Sequence, residues 1–293
     1  MFTLLSMLAG VITAVTVAQN GQLARFYGDY SAAVLIHLTG LATALCFRFF
    51  LRRRLPPRLP AKPWMYLGGV IGVGTTVLMT MAYGGVGVTA ILGLSLLGQS
   101  VTSIAVDQLG LLGAQRSPFF PKRLAGLAAV VLGATIMLFP LEETSWTAAL
   151  LALGSGVTIV FARTLNGQLA KRQGPLRSTV MNYVTGLAVT AAIMLLAGRG
   201  EPFWTDFRLS PNLFMYLGGA FGVGLIMLLN LTVNKAPAFA LTLLQFTGQI
   251  FAGLLLDALT QGAFAWQSAL GGALVAAGLC LDGYATRRRA RAA

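Results

Sequence analysis

Ten apolar runs of about 20 residues follow one another with only short connections between them, and this limits the fold more than any other feature of the chain. A run of that length matches a helix crossing the hydrocarbon core of a bilayer, where every backbone N–H and C=O must be satisfied within the segment itself. The runs are Thr3 to Ala24, Ser31 to Leu51, Trp64 to Tyr83, Ala90 to Gly110, Arg123 to Pro140, Trp146 to Ala170, Ser178 to Ala197, Leu213 to Asn234, Ala240 to Thr260 and Trp266 to Tyr284. The expected fold class is an all-α polytopic membrane protein with ten transmembrane helices. Composition agrees, since 56% of residues are hydrophobic and 10% charged, against about 25% charged in an ordinary soluble domain. A soluble enzyme is thereby excluded. No connection is long enough for a folded extramembrane domain, so function has to reside in the helices and their loops.

The chain also repeats itself. Asn20-Gly21-Gln22-Leu23-Ala24 returns as Asn166-Gly167-Gln168-Leu169-Ala170, and an offset of 146 matches 10 of 22 positions from Asn20 to Leu41. Met65-Tyr66-Leu67-Gly68-Gly69 returns as Met215-Tyr216-Leu217-Gly218-Gly219, and an offset of 150 matches 15 of 46 positions from Met65 to Gly110. The expected organisation is a first five-helix repeat over 1–140, a second over 146–284 and a basic tail over 285–293. The first span is the twin of an internal one, so it is read as a span and not as a secretory signal, although Val17-Ala18 precedes a polar residue as a cleavage site would. Five spans is an odd number, so the second copy enters the bilayer from the opposite side and the repeats are inverted. Inverted repeats are the common architecture of secondary transporters.

Charge gives the orientation. With both termini on one side, 17 of the 21 basic residues fall on that side, three (Arg25, Arg199, Arg208) on the other, and Arg163 inside the sixth span. The positive-inside rule then makes both termini cytoplasmic. Six of the eight acids, Asp29, Glu142, Glu143, Glu201, Asp206 and Asp257, lie on the opposite side. The formal net charge of +13 is thus a matter of topology, and the tail reads as a cytoplasmic, lipid-facing anchor with no nucleic-acid partner.

On the fourth span Ser95, Gln99, Ser103 and Asp107 recur every four residues and share one slowly drifting stripe. On the ninth, Gln245, Gln249, Gly253 and Asp257 have the same spacing. Each Gln lies near mid-bilayer, and each Asp lies three residues, or about 4.5 Å, from the end of its span. One reading is a midplane substrate pocket between Gln99 and Gln249, flanked by Ser95, Gln245 and Ser103, with Asp107 and Asp257 gating or coupling at opposite faces. The other makes the glutamines interhelical glue and the aspartates interfacial carboxylates in water. Both aspartates occupy helix C-terminal ends, where the macrodipole disfavours a negative charge, so neither is expected to act as a cap. Arg116, Lys122 and Arg123 are candidate partners for Asp107, and Asp257 has none nearby in the sequence.

Asn20 and Asn166, near the ends of their spans, either line the path or end a helix. His37, the only histidine, reads better as a hydrogen-bonded core residue than as a proton carrier. The glycine runs beginning at Gly68 and Gly218 lack the strand and ribose-binding acid of a nucleotide loop and read as close helix packing. Thr75, Thr76, Thr80 and Asn230 could add polar walls, but Thr in a membrane helix commonly bonds its own backbone. Cys46 and Cys280 sit inside apolar runs and supply neither a disulfide framework nor a metal site. No cofactor or metal is expected, and no nucleophile-elbow sequence surrounds any serine.

The run from Gly98-Gln99 through Asp107-Gln108 to Gly113, preceded by Asn-Gly-Gln-Leu and by Gly-Gly-x-x-Gly-x-Gly, resembles the YdcZ-like family of the drug/metabolite transporter superfamily, in its fused two-repeat form. The resemblance implies small-molecule transport, in the direction of export, at the bacterial inner membrane. Gln108 stands where the family often has His, and the second copy continues after its Asp as Ala258-Leu259-Thr260. Small multidrug relatives in the superfamily bind cations with a glutamate in their first helix. Here the first span offers Thr13, Thr16, Gln19 and Asn20, and its twin offers Ser155, Thr158, Thr164 and Asn166.

The functional expectation is therefore a secondary exporter of a small neutral or zwitterionic metabolite working by alternating access, and not an enzyme. The alternatives are a flippase or facilitator for a lipid-like amphiphile, or a non-transporting membrane partner subunit. The expected partners are the substrate and the lipid bilayer. Coupling to a proton or another ion stays open, and one chain suffices for a complete inverted pair.

Overall fold

The computed structural model describes residues 2–51, 59–113, 121, 123–139, 145–232, 238–261 and 266–290. Arg52, Arg53, Arg54, Arg58, Arg116, Lys122, Glu142, Glu143, Lys235 and Arg291 lie outside the described residues, as do the side chains of Arg123, Asn230 and residues 285–290.

The described chain is helical: α1 (Phe2–Tyr27), α2 (Asp29–Leu51), α3 (Gly68–Ala82), α4 (Val88–Leu109), α5 (Arg123–Ile136), α6 (Trp146–Gln173), α7 (Pro175–Ala197), the four-residue α8 (Pro202–Thr205), α9 (Gly218–Thr232), α10 (Ala238–Gln261) and α11 (Trp266–Ala290). Each of the ten apolar runs holds one of these helices, and α8 is additional. Six helices among the described residues are long and apolar enough to cross a membrane. They include α3 and the five-residue 3-10 turn (Pro63–Leu67) that leads into it. An equivalent turn, Leu213–Leu217, leads into α9.

The run Arg123 to Pro140 departs from expectation, because α5 stops at Ile136 after 14 residues. That is about 21 Å of helix, short of the roughly 30 Å hydrocarbon core. Beyond Ile136 the backbone tightens, with the N–H groups of Leu138 and Phe139 bonding three residues back to Thr135 and Ile136.

Glycine fixes the sharpest reversals. Gly28 (φ 95°) and Gly174 (φ 85°), equivalent at the offset of 146, turn α1 into α2 and α6 into α7 in a backbone region that other residues rarely adopt.

The helices form two compact units, each drawing on both halves of the sequence. One comprises residues 15–81 and 158–230. Inside it α2 packs on α7 at two reciprocal points: the Tyr183 ring covers Gly40 and the His37 ring covers Gly186. These pairs exchange under the offset of 146, and their order along the chain makes α2 and α7 antiparallel. The same unit seats Asn20 on Gly218 and Asn166 on Gly68.

The other unit comprises residues 1–14, 82–157 and 231–293. Here α5 and α11 approach backbone to backbone at Gly126–Gly278 and Gly133–Gly271, again an antiparallel pair whose contacts exchange under the repeat. Gly98 of α4 meets the Leu153 carbonyl of α6, and its equivalent Gly248 of α10 meets the Met7 carbonyl of α1. The core joins equivalent side chains, with Leu96 and Phe246 in one cluster with Val130, Met137 and Val275.

Candidate functional site

Both polar stripes lie in the second of these units. On α4, Ser95 is buried, and the Ser155 hydroxyl of α6 lies 3.1 Å from Ser95 Oγ and 2.6 Å from the Ala152 carbonyl oxygen. Gln99 is half-buried one turn later, where Gly156 presses against the Ser95 carbonyl and the Gln99 N–H. On α10 the half-buried Gln245 and Gln249 hold the equivalent place, with Gly10 of α1 against the Gln245 carbonyl and the Gln249 N–H. Each Gln thus sits at the closest crossing of its helix with the repeat-equivalent neighbour. The missing Cβ of one glycine per crossing permits that approach. Ser103 is half-buried further along α4.

Asp257 corrects the expectation that it lacks a partner and caps nothing. It is 1% exposed, with Oδ1 accepting from the Val88 N–H at 2.6 Å and Oδ2 from the Thr89 N–H at 2.9 Å. Those are first-turn amides of α4, which have no partner within their own helix. The carboxylate is unfavourably placed on its own helix but sits at the positive end of another, where a negative charge is stabilised. Gly87 and Gly253 make room for it: a Cβ at Gly87 would lie 2.9 Å from Asp257 Oδ2, and one at Gly253 would lie 2.7 Å from Thr89 Oγ1.

Asp107 is half-buried near the other end of α4 and makes polar interactions of its own. It lies 18 residues beyond Thr89 on the same helix, or about 27 Å away. The two carboxylates therefore cannot share a proton as a catalytic dyad would. Of the partners expected for Asp107, Arg116 and Lys122 and the side chain of Arg123 lie outside the described residues.

The asparagines belong to the other unit. Asn166 Nδ2 donates to Asn182 Oδ1 at 2.7 Å while its Oδ1 faces Gly68. Asn20 Oδ1 faces Gly218 and is buried without a hydrogen-bond partner, as is Gln19 Oε1, although Gln19 Nε2 donates to the Phe214 carbonyl at 2.8 Å. Both asparagines therefore lie at helix contacts within the fold. Thr75 bonds Thr158 across helices at 2.8 Å, which backbone bonding alone would not give, whereas Thr76 and Thr80 bond their own helix. His37 is a core residue, buried with Nδ1 donating to the Ala33 carbonyl at 2.8 Å.

Glu201 was legible only as one of the acids on its side. Its carboxylate accepts from the Tyr30 and Ser31 N–H groups, both at 2.8 Å, and from Ser31 Oγ at 2.6 Å. The signal lay at the start of α2, where Gly28 offers no side chain to cap the helix. Among the described residues no three His, Cys, Asp or Glu side chains cluster as a metal site would require.

The family DMT_YdcZ, described as "Putative inner membrane exporter, YdcZ", matches the chain twice, over residues 1–136 and 147–281. The chain belongs to this family. The two matched segments separate the stripes, so that Gln99 and Asp107 fall in one copy and Gln249 and Asp257 in the other. The family's description carries membrane export as the function and the inner membrane as the location, and the apolar helices agree with both. A comparison with the curated proteins yields no match.

Proposed function

We propose that this protein is a secondary transporter that exports a small neutral or zwitterionic metabolite by alternating access between two inverted five-helix halves. The observation that carries the reading is the reciprocal, antiparallel packing of repeat-equivalent helices, α2 on α7 in one unit and α5 on α11 in the other. A two-fold axis that relates antiparallel partners runs across them. For helices that cross a bilayer, such an axis lies in the membrane plane, which is the symmetry that lets two half-structures exchange conformations and turn an inward-open state into an outward-open one.

Substrate is held at Gln99 and Gln249, with Ser95, Gln245 and Ser103 beside them. An amide both donates and accepts, which suits a neutral or zwitterionic solute. Asp107 and Asp257 work the opposite gates, and the bond of Asp257 to the start of α4 is a closed latch. Asn20 and Asn166 line the path. Both termini are cytoplasmic.

One observation favours the amphiphile alternative. An apolar groove of ≈ 520 Å³ lies between α10 and α11, lined by Phe246, Ile250, Phe251, Leu254, Gly272 and Ala276 among others. It would suit an acyl chain.

Gln99→Leu and Gln249→Leu decide between pocket and glue. Purified variants are titrated with the neutral and zwitterionic metabolites that wild-type protein exchanges in liposome counterflow, and melted alongside. The pocket reading expects affinity to fall about tenfold, the loss of roughly 1.4 kcal/mol, with little change in melting. A stability loss of about 0.6–2 kcal/mol with unchanged affinity is the signature of interhelical glue and retires the pocket.

A further inference from the structure

The connection from α7 to α9, residues 198–217, is built from the inside and apolar on the outside. On its inner side Phe203 packs edge-on against Tyr27 at 5.8 Å, and the Tyr27 hydroxyl donates to the Arg208 carbonyl at 2.9 Å and meets the Tyr216 hydroxyl. The Ser210 N–H donates to Tyr216 Oη at 3.1 Å. These bonds hold the segment as a fixed structure.

The outward side shows Trp204, Phe207, Leu209, Leu213, Phe214 and Leu217, with Phe207 58%, Leu209 77% and Leu213 74% exposed. Six large apolar side chains within 14 residues need a cover.

Its four charges, Arg199, Glu201, Asp206 and Arg208, cancel, and each has a partner within the protein, although Asp206 and Arg208 stay largely exposed. Glu201 caps α2, Arg199 Nε donates to the Leu195 carbonyl at 3.0 Å, and Arg208 lies 3.9 Å from Asp206 and 5.3 Å above the Phe26 ring. The equivalent connection of the first repeat, residues 52–67, has no aromatic residue before Trp64 and carries Arg52, Arg53, Arg54, Arg58 and Lys62.

We infer that residues 198–217 lie in the headgroup layer of the bilayer as an aromatic anchor. The segment follows Leu195 and Leu196, both exposed at the end of α7, whose 23 residues form one of the candidate membrane spans. A helix of that length is about 35 Å long and ends where the hydrocarbon core gives way to headgroups. Trp settles at this depth, and Phe and Leu beside it on an interfacial segment dip into the boundary between headgroups and acyl chains. With no net charge to recruit an anionic surface or an oppositely charged protein, the segment suits a zwitterionic lipid interface. Only the leaflet, the non-cytoplasmic one, rests on the topology proposed above.

The test uses the full chain with Trp64→Phe, Trp146→Phe and Trp266→Phe, which leaves Trp204 as the sole tryptophan, reconstituted in phosphatidylcholine vesicles. Lipids with a nitroxide near the glycerol level should quench Trp204 at least twofold more than lipids labelled deep in the acyl chain, and aqueous iodide should quench it several-fold less than free tryptophan. Strong iodide quenching means a water-exposed loop, and protection from both iodide and lipid labels means a protein cover such as a second copy. Deep labels quenching best would mean burial in the hydrocarbon. Each of the three overturns the inference. If the triple replacement does not fold, a nitroxide attached at Leu209→Cys, with Cys46→Ser and Cys280→Ser, reads the same depth. It should then be more accessible to oxygen than to a water-soluble nickel chelate, and the reverse order would overturn the inference.

Discussion

Asp257 is where one side chain has most to lose. Its two bonds to first-turn amides of α4 are charge-assisted, each contributing about 1.5–3 kcal/mol, and the end of the α4 dipole adds to them. Asp257→Asn keeps one acceptor oxygen and turns an amide N–H₂ toward an N–H that needs an acceptor. It should therefore destabilise the protein by about 2–4 kcal/mol, read as a lowered melting temperature in detergent. As a latch, it should also raise thiol labelling of a Thr89→Cys probe from the non-cytoplasmic side, in a background lacking Cys46 and Cys280. Asp107→Asn should raise labelling mainly from the cytoplasm. If labelling moves in neither variant, the carboxylates stabilise the fold and gate nothing. The sequence displayed both aspartates through their spacing with the glutamines, but it could not display the latch. The acceptor and the Thr89 amide are 168 residues apart, and a helix N-terminus in want of an anion has no spelling of its own.

At the scale of helices, the glycines separate into two kinds that look alike in the sequence. Gly98 and Gly248 each face a backbone carbonyl of a crossing helix, Leu153 and Met7 respectively, while Gly167 and Gly224 have nothing within 4 Å of where a Cβ would be. A backbone atom cannot swing aside as a long side chain can, so Gly98→Ala and Gly248→Ala should each destabilise by about 1–3 kcal/mol as over-packing does. Gly167→Ala should be neutral or stabilise by up to about 1 kcal/mol, since alanine loses less backbone entropy on entering a helix. Thermal melts of the three variants check this, and equal effects would mean that the α4–α6 and α10–α1 crossings are not tight. The positions of the helices were legible because lipid-crossing length and apolar content are written into each run. The early end of α5 and the existence of α8 were not. Phe139 and Pro140 are as apolar as the helix before them, and a run of polarity does not record where hydrogen bonding changes from four residues to three.

For the whole molecule, repetition in sequence and compactness in space divide the chain differently. The family matches 1–136 and 147–281 as successive copies, yet each compact unit takes helices from both, with α1 and α6 each shared between the two units. Neither copy alone contains the reciprocal glycine contacts, so the fused chain supplies α2 and α5 with their antiparallel twins α7 and α11. That arrangement works only if the two copies enter the bilayer in opposite senses, and the charges bear directly on it. With ten spans, seventeen basic residues would fall on the side of the termini and three on the other, a bias strong enough to fix a single orientation. A reporter active only in the cytoplasm should therefore work when fused after Ala293, and one active only outside should work when inserted in the connection from Glu142 to Trp146. Because that connection separates the two copies, the pair of reporters reads whether an odd number of spans follows it. Matching compartments at the two points would mean an even number of spans between them and would end the inverted-repeat reading, whereas both signals at one point would mean dual insertion and would contradict the charge argument alone.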